Sequence, residues 1–240
     1  MDLDGSGTAT VMLLNPTGGL VGGDVVETSV KLGAGSRACL TTAAASRVYR
    51  SLGPPAISRF IAVLEDGAAL EYMPDHLIPS PGARLRQRTE VAMAPGSTLI
   101  CLDAWAVGRI ARAERWRFAE LDSAIVVRDP RGPLVRERAS LTGPHRLEGL
   151  GGTDGLGYVA TFLALAPSRD GWGALADHLS GAVGMSWRDE RFAVTALGRG
   201  GILARLLCSS AQTLHEVATM LWDLTRHRLL GLGPLRLRKL

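Results

Sequence analysis

A mainly β body with a late helix is what this 240-residue sequence predicts. Apolar and polar residues alternate with period 2 along most of the chain, and turn signals punctuate that alternation every ~8–12 residues. Convincing helical periodicity is confined to the C-terminal third. Runs of strands followed by a late helix do not fit an α/β nucleotide-binding architecture.

The strand signals come in order. Residues 8–14, 24–32 and 36–42 are the first three. In 24–32, Val26, Thr28, Val30 and Leu32 share one face, while Val25, Glu27, Ser29 and Lys31 share the other. ISRFIAVLE (57–65) and AALEYMP (68–74) flank Asp66-Gly67, a dipeptide that predicts a hairpin. ARLRQRTEVAM (83–93) sets Leu85, Gln87, Thr89 and Val91 against a face rich in arginine. STLICLDAW (97–105) follows the Pro95-Gly96 turn, and RWRFAELDSAIVVRD runs into the turn at 130–133 before LVRERASL. YVATFLAL, RFAVTAL and ILARLLC complete the strands.

Two segments have helical spacing. Residues 172–183 place Trp172, Leu175, Ala176, Leu179 and Val183 on one side. The main helix is expected at about 210–228. Ser209 or Ser210 caps it, Leu214, Val217, Ala218 and Leu221 form its stripe, Arg226 to Arg228 complement its C-terminal dipole, and Gly231 stops it.

With 46% hydrophobic residues the chain can bury one sizeable core. No linker or internal repeat stands out, so a single domain over 1–240 is expected. The longest strongly apolar run, 158–166, is far short of the ~20 residues of a membrane span. The start, MDLDGSG, lacks a signal pattern, so a cytoplasmic protein is expected. Cys39, Cys101 and Cys208 contain no CxxC and form neither a zinc site nor a disulfide scaffold. Net charge is +4, and every basic residue except Lys31 and Lys239 is arginine. Without interleaved aromatics this does not read as a nucleic-acid surface.

LLNPTGGLVGGD (13–24) imitates a phosphate loop and lacks its chemistry. Asp24 and Val25 stand where a Walker loop needs Lys and Ser or Thr, and Gly18, Gly19, Gly22 and Gly23 do not form a dinucleotide fingerprint. The glycines read as a bulged strand connection. Asp2, Asp4 and Ser6 imitate the start of a calcium loop, but Leu13 occupies its last ligand position. The histidines (His76, His145, His178, His215, His227) make no i,i+4 pair, and Asp75-His76 reads as a polar loop. No Gly-x-Ser-x-Gly elbow occurs. Glu71 and Glu114 sit in apolar surroundings, and a buried glutamate needs a cation. Arg109 and Arg47 are the candidate partners; solvent exposure is the alternative for each acid.

Four blocks in order resemble the UreD/UreH family of urease accessory proteins. They are NPTGGLVGGD (15–24), LTTAAASRVYRS (40–51), LEYMPDHLIP (70–79) and the GR-x-A-x-x-E-x-x-x-F pattern starting at Gly108. The motif positions are Gly18, Gly19, Gly22, Gly23, Thr41, Thr42, Arg47, Tyr49, Arg50, Gly108 and Arg109. Arg47 replaces a lysine of the family pattern, Tyr72 a tryptophan, Ile110 a proline and Ala113 a glycine, and most of the basic strand region that precedes the family's glycine block has no counterpart here, as expected of a shortened start or a divergent member. The resemblance implies many short antiparallel strands in a layered or helix-like β body with about two α-helices. It also implies a non-catalytic scaffold that binds apo-urease and UreF-like and UreG-like accessory proteins and helps deliver nickel. No permanent cofactor is implied, only transient Ni(II), and Asp24, Glu71 and Glu114 are the candidate acids of an internal nickel path. The competing readings are a cytosolic hydrolase with a fold-assembled site and a metal-independent interaction module.

Overall fold

The computed structural model describes residues 1–142, 147, 149, 151–187 and 189–237. His145 and Lys239 lie outside them. The chain winds as a stack of turns. The first holds β1 (Ala9–Leu13), β2 (Gly19–Leu20) and β3 (Val25–Leu32); the second β4 (Arg37–Thr42), β5 (Ser46–Val48) and β6 (Ala56–Leu64); the third β7 (Ala69–Met73), β8 (Leu77–Pro79) and β9 (Arg84–Met93). The fourth runs from β10 (Thr98–Ala106) through the short pair β11 (Gly108–Arg109) and β12 (Glu114–Arg115) to β13 (Glu120–Asp129). Each strand lies parallel to its counterpart one turn later. Ala9 is beside Ala38, Ala38 beside Leu70 and Leu70 beside Leu99, so the chain returns to the same sheet every 29 to 32 residues. This is solenoid-like winding with a period the residue types do not display, because each turn needs only apolar alternation and a corner.

The remaining strands close the stack antiparallel: β14 (Gly132–Thr142) on β13, β15 (Tyr158–Leu165) on β10, then β16 (Arg191–Leu197) and β17 (Gly201–Cys208). The helices are α1 (Trp172–Ser186) and α2 (Ala211–Leu230). Mainly β, layered by stacking, with two helices of which the main one is C-terminal, is the expected fold class. The sense of pairing differs from expectation: the long strands of the four turns pair in parallel. Period-2 alternation reports which face a side chain takes, not the direction of the neighbouring strand.

The Asp66-Gly67 hairpin is corrected for the same reason. β6 belongs to the five-stranded sheet and β7 to the ten-stranded one, so the turn carries the chain between sheets. Gly67 has φ +69° there, as Gly35 does at the equivalent corner, and Gly35 N–H donates to the Asp66 carbonyl. The dipeptide specifies a tight corner; its stacking on the previous corner decides where the chain goes next.

The ten-stranded sheet is covered on both faces. Leu40, Leu70, Leu99 and Cys101 point toward the five-stranded sheet, and Cys39, Ile100 and Leu102 toward the helices. That is why β10 reads as a nearly unbroken apolar run. A third cluster, with Leu85, Trp105, Trp116 and Phe118, fills the corner beneath β2, β5 and β8. Every residue predicted for the stripe of each helix is buried. The Ser210 side chain accepts from Thr213 N–H, and Gly231 ends α2 in the left-handed region at φ 67°. Among the described residues no helix is long and apolar enough to cross a membrane.

Candidate functional site

Parallel stacking puts equivalent positions of successive turns in a row, and one such row is polar. In the five-stranded sheet Ser58, Gln87 and Ser123 are neighbours in register across β6, β9 and β13. In the facing sheet Asp103, Thr161 and Arg205 are neighbours across β10, β15 and β17. The two rows meet at Asp103. Gln87 Nε2 donates to its Oδ1 at 2.8 Å and Ser123 Oγ to its Oδ2 at 2.7 Å, with Gln87 Nε2 3.3 Å from Ser123 Oγ.

Asp103 lines two cavities. One, of about 490 Å³, runs inward from Leu14, Asn15 and Gly18 of the glycine loop, past Thr42 and Ser58, to Gln87 and Asp103. The other, of about 270 Å³, runs from Asp103 and Ser123 to Glu137 and Arg205. Together they form a seam between the sheets, along the direction of stacking, with an apolar lining through which the polar row at Asp103 runs. Burial pushes the Asp103 carboxyl above the usual aspartate range; the bonds from Ser123 and Gln87 pull it back, and Glu137 adds to the rise. The site is therefore a desolvated carboxylate held by neutral donors, with room on both sides. Among the described residues no three His, Cys, Asp or Glu side chains converge as a metal site.

The acids singled out in the sequence lie elsewhere. Glu71, on β7, points to the helix face of the same sheet and is 1% exposed. Arg226 Nε donates to its Oε1 at 3.1 Å and its Oε2 at 3.0 Å, and Trp222 Nε1 to Oε2 at 2.5 Å. Arg226 Nη2 also reaches Asp4 Oδ2 at 2.7 Å, which ties the N-terminal segment, the sheet and α2 together. Burial pushes Glu71 upward against the pull of Arg226. Burial likewise works against ionised Asp4, but the Ser6 hydrogen bonds and Arg226 outweigh it and hold Asp4 at about 2. So Glu71 is paired as an internal acid should be, but with Arg226 rather than Arg109 or Arg47. Arg226, expected at the helix C-terminus as a dipole partner, is completely buried. Its signal is Trp222, four residues earlier and on the same helix face.

Glu114 does pair with Arg109. Arg109 Nη2 donates to Oε1 at 2.9 Å and Nε to Oε2, across the β11–β12 ribbon. Gly108 is required at its start, since a Cβ there would meet the Glu114 carbonyl and φ is +141°. Asp24 is half-buried and accepts Val21 N–H at 2.9 Å, closing the glycine loop on itself. Gly19 lies beside Arg47 in register, with its Cα against the Arg47 carbonyl and the Tyr49 ring, so this glycine serves close approach between turns. Gly22 is similarly close to Ser51; Gly18 and Gly23 take positive φ. Thr41 Oγ1 donates to the Met73 carbonyl at 2.7 Å, Thr42 Oγ1 bonds Asp75, and Arg50 bridges to Ala83; each links one turn to the next. None of Asp24, Glu71 and Glu114 lines the two cavities. Asp103 and Glu137 do, and neither is among the acids the sequence points to; Asp75, read there as part of a polar loop, also lines the first cavity. The available signal for Asp103 was a lone aspartate inside LICLDAWAV, an environment more apolar than that of Glu71.

The fold is a helix-buttressed, solenoid-like β body with a carboxylate between its two sheets. Comparison with known sequences gives the family. The model of the UreD urease accessory protein family matches residues 1–239. The urease accessory protein UreD of Alkalilimnicola ehrlichii is 33% identical over 224 residues, covering 92% of this chain and 74% of that protein. That of Cupriavidus metallidurans is 32% identical, covering 94% and 80%, and that of Deinococcus radiodurans 32%, covering 97% and 82%. The chain belongs to the UreD family of urease accessory proteins.

Proposed function

We propose that this chain is a non-catalytic scaffold of urease maturation, which binds apo-urease together with UreF-like and UreG-like partners and passes nickel through its interior toward the urease centre. The observation that carries this reading is the seam: one desolvated carboxylate, Asp103, lines both cavities. Ni(II) takes oxygen ligands, and a conduit must bind weakly at successive points so that the ion both enters and leaves. A seam of single carboxylate, amide and hydroxyl groups fits that requirement better than a closed chelate. In this reading Asp103 and Glu137 are the acids of the path, while Glu71 and Glu114 serve the fold through Arg226 and Arg109.

The test co-expresses the chain with a urease operon and its accessory genes. Asp103→Asn, near-isosteric, should leave co-purification with the partners intact and reduce nickel-dependent urease activation to background. Normal activation by Asp103→Asn would refute the path and leave a metal-independent interaction module. Failure of the wild-type chain to co-purify with any accessory protein would refute the scaffold itself.

A further inference from the structure

The second cavity ends at an ion pair. Glu137 on β14 and Arg205 on β17 face each other across the last gap between the sheets, with Arg205 Nη2 donating to Glu137 Oε2 at 2.7 Å. Both line the cavity that begins at Asp103. The pair is uneven. The Glu137 side chain is 18% exposed and the Arg205 side chain 62%. The carboxylate is set into the wall; the guanidinium stands in solvent, where an ion pair contributes little and exchanges readily. The same register row runs from Asp103 through Thr161 to Arg205, so this arginine is the cationic end of the seam.

We propose that Arg205 is a latch on the outlet of the seam: its guanidinium occupies Glu137 and bars a divalent cation from the mouth until an acidic group on the receiving protein draws it away. The proposal rests on the seam being a cation path and adds what regulates its exit. With Arg205 in place, a cation that reaches Asp103 meets a positive charge ahead of it. With Arg205 withdrawn, Glu137 becomes the next oxygen ligand and the ion advances. Exposure makes the arginine movable, and its five donors suit capture by a carboxylate on another surface.

Equilibrium dialysis of the full chain against Ni(II) tests this. Arg205→Gln removes the charge at a largely exposed position and should tighten nickel binding roughly tenfold, as expected for deleting a like charge a few ångströms from a divalent ion. Adding Glu137→Gln should abolish the gain. Arg205→Lys, which keeps the charge without the fork, should give a smaller gain in the same direction, and it serves as the test if Arg205→Gln lacks the wild-type circular dichroism spectrum. Wild-type affinity in the folded variants overturns the latch, as does a gain that survives loss of Glu137. The path is judged separately. If Asp103→Asn blocks urease activation while the Arg205 variants bind nickel as wild type does, only the latch is wrong. If Asp103→Asn activates normally, the path itself is wrong.

Discussion

Glu71 and Asp103 stand on adjacent strands of one sheet, on opposite faces, and their surroundings differ in kind. Glu71 faces the helices, where a fully buried arginine and an indole N–H hold it. Asp103 faces the second sheet, where an amide and a hydroxyl hold it and cavities open on either side. A carboxylate saturated by a guanidinium has its charge already balanced, so it serves the fold. A carboxyl held by neutral donors has no partner charge to balance it, which in the proposed reading leaves its oxygens to a passing cation. Burial alone does not distinguish the two roles; the charge of the partner does.

The comparison makes unequal predictions for the two faces. The largest effect belongs to the helix face. Arg226→Met leaves Glu71 buried without its cation and should lower unfolding free energy by about 3–5 kcal/mol, measured by urea denaturation, or push the chain into the insoluble fraction. A loss below about 1 kcal/mol, the worth of an ordinary hydrogen bond, would break the distinction. Asp103→Asn comes next: it should cost no more than about 1 kcal/mol in the same assay, because Gln87 can still donate to the amide oxygen and the Ser123 hydroxyl can turn to accept from the amide N–H, while removing nickel-dependent activation. If instead it unfolds the chain, Asp103 is a structural acid like Glu71.

The smallest effect is a pH dependence within the Glu71 node. Asp4 titrates at about 2 in the folded chain against an ordinary 3.8, so the unfolded state binds more protons between those values. Its contribution is present above pH 3.8 and lost as pH falls toward 2, by an amount on the order of 1 kcal/mol after solvent screening. Asp4→Asn should remove that portion of the acid slope in urea midpoints measured from pH 5 to 2; an unchanged slope would detach Asp4 from the node. For Glu71 the sign is reversed. Burial, outweighing the pull of Arg226 and Trp222, raises its carboxyl, so its contribution is full below the usual glutamate value and declines as pH rises above it.

Much of the local structure was legible. The stripes of α1 and α2, the Ser210 cap and the Gly231 stop follow from spacing, because a helix writes its buried face into i, i+3 and i+4 positions. The Arg109–Glu114 pair was legible because five residues of ribbon separate its members. That Glu71 needs a cation is legible from its apolar strand; that the cation is Arg226 is not, since the pair spans 155 residues. For Asp103 the local signal is a single acid in one of the most apolar strands of the chain, and its donors, Gln87 and Ser123, stand 16 and 20 residues away.

Residue order by itself determined the longer strands and both helices, and which face of each is apolar, since those depend on neighbours a few positions apart; the short corner strands β2, β5, β8, β11 and β12 carry no such signal. The four ordered blocks also carried the family. Only the tertiary structure decided that the early strands stack in parallel, that Asp66-Gly67 joins two sheets, and that Ser58, Gln87, Ser123, Asp103 and Thr161 share one seam. The physical reason is that a solenoid-like stack brings together residues about one turn apart in the chain, and that distance is set by corner geometry and packing rather than by any local sequence period.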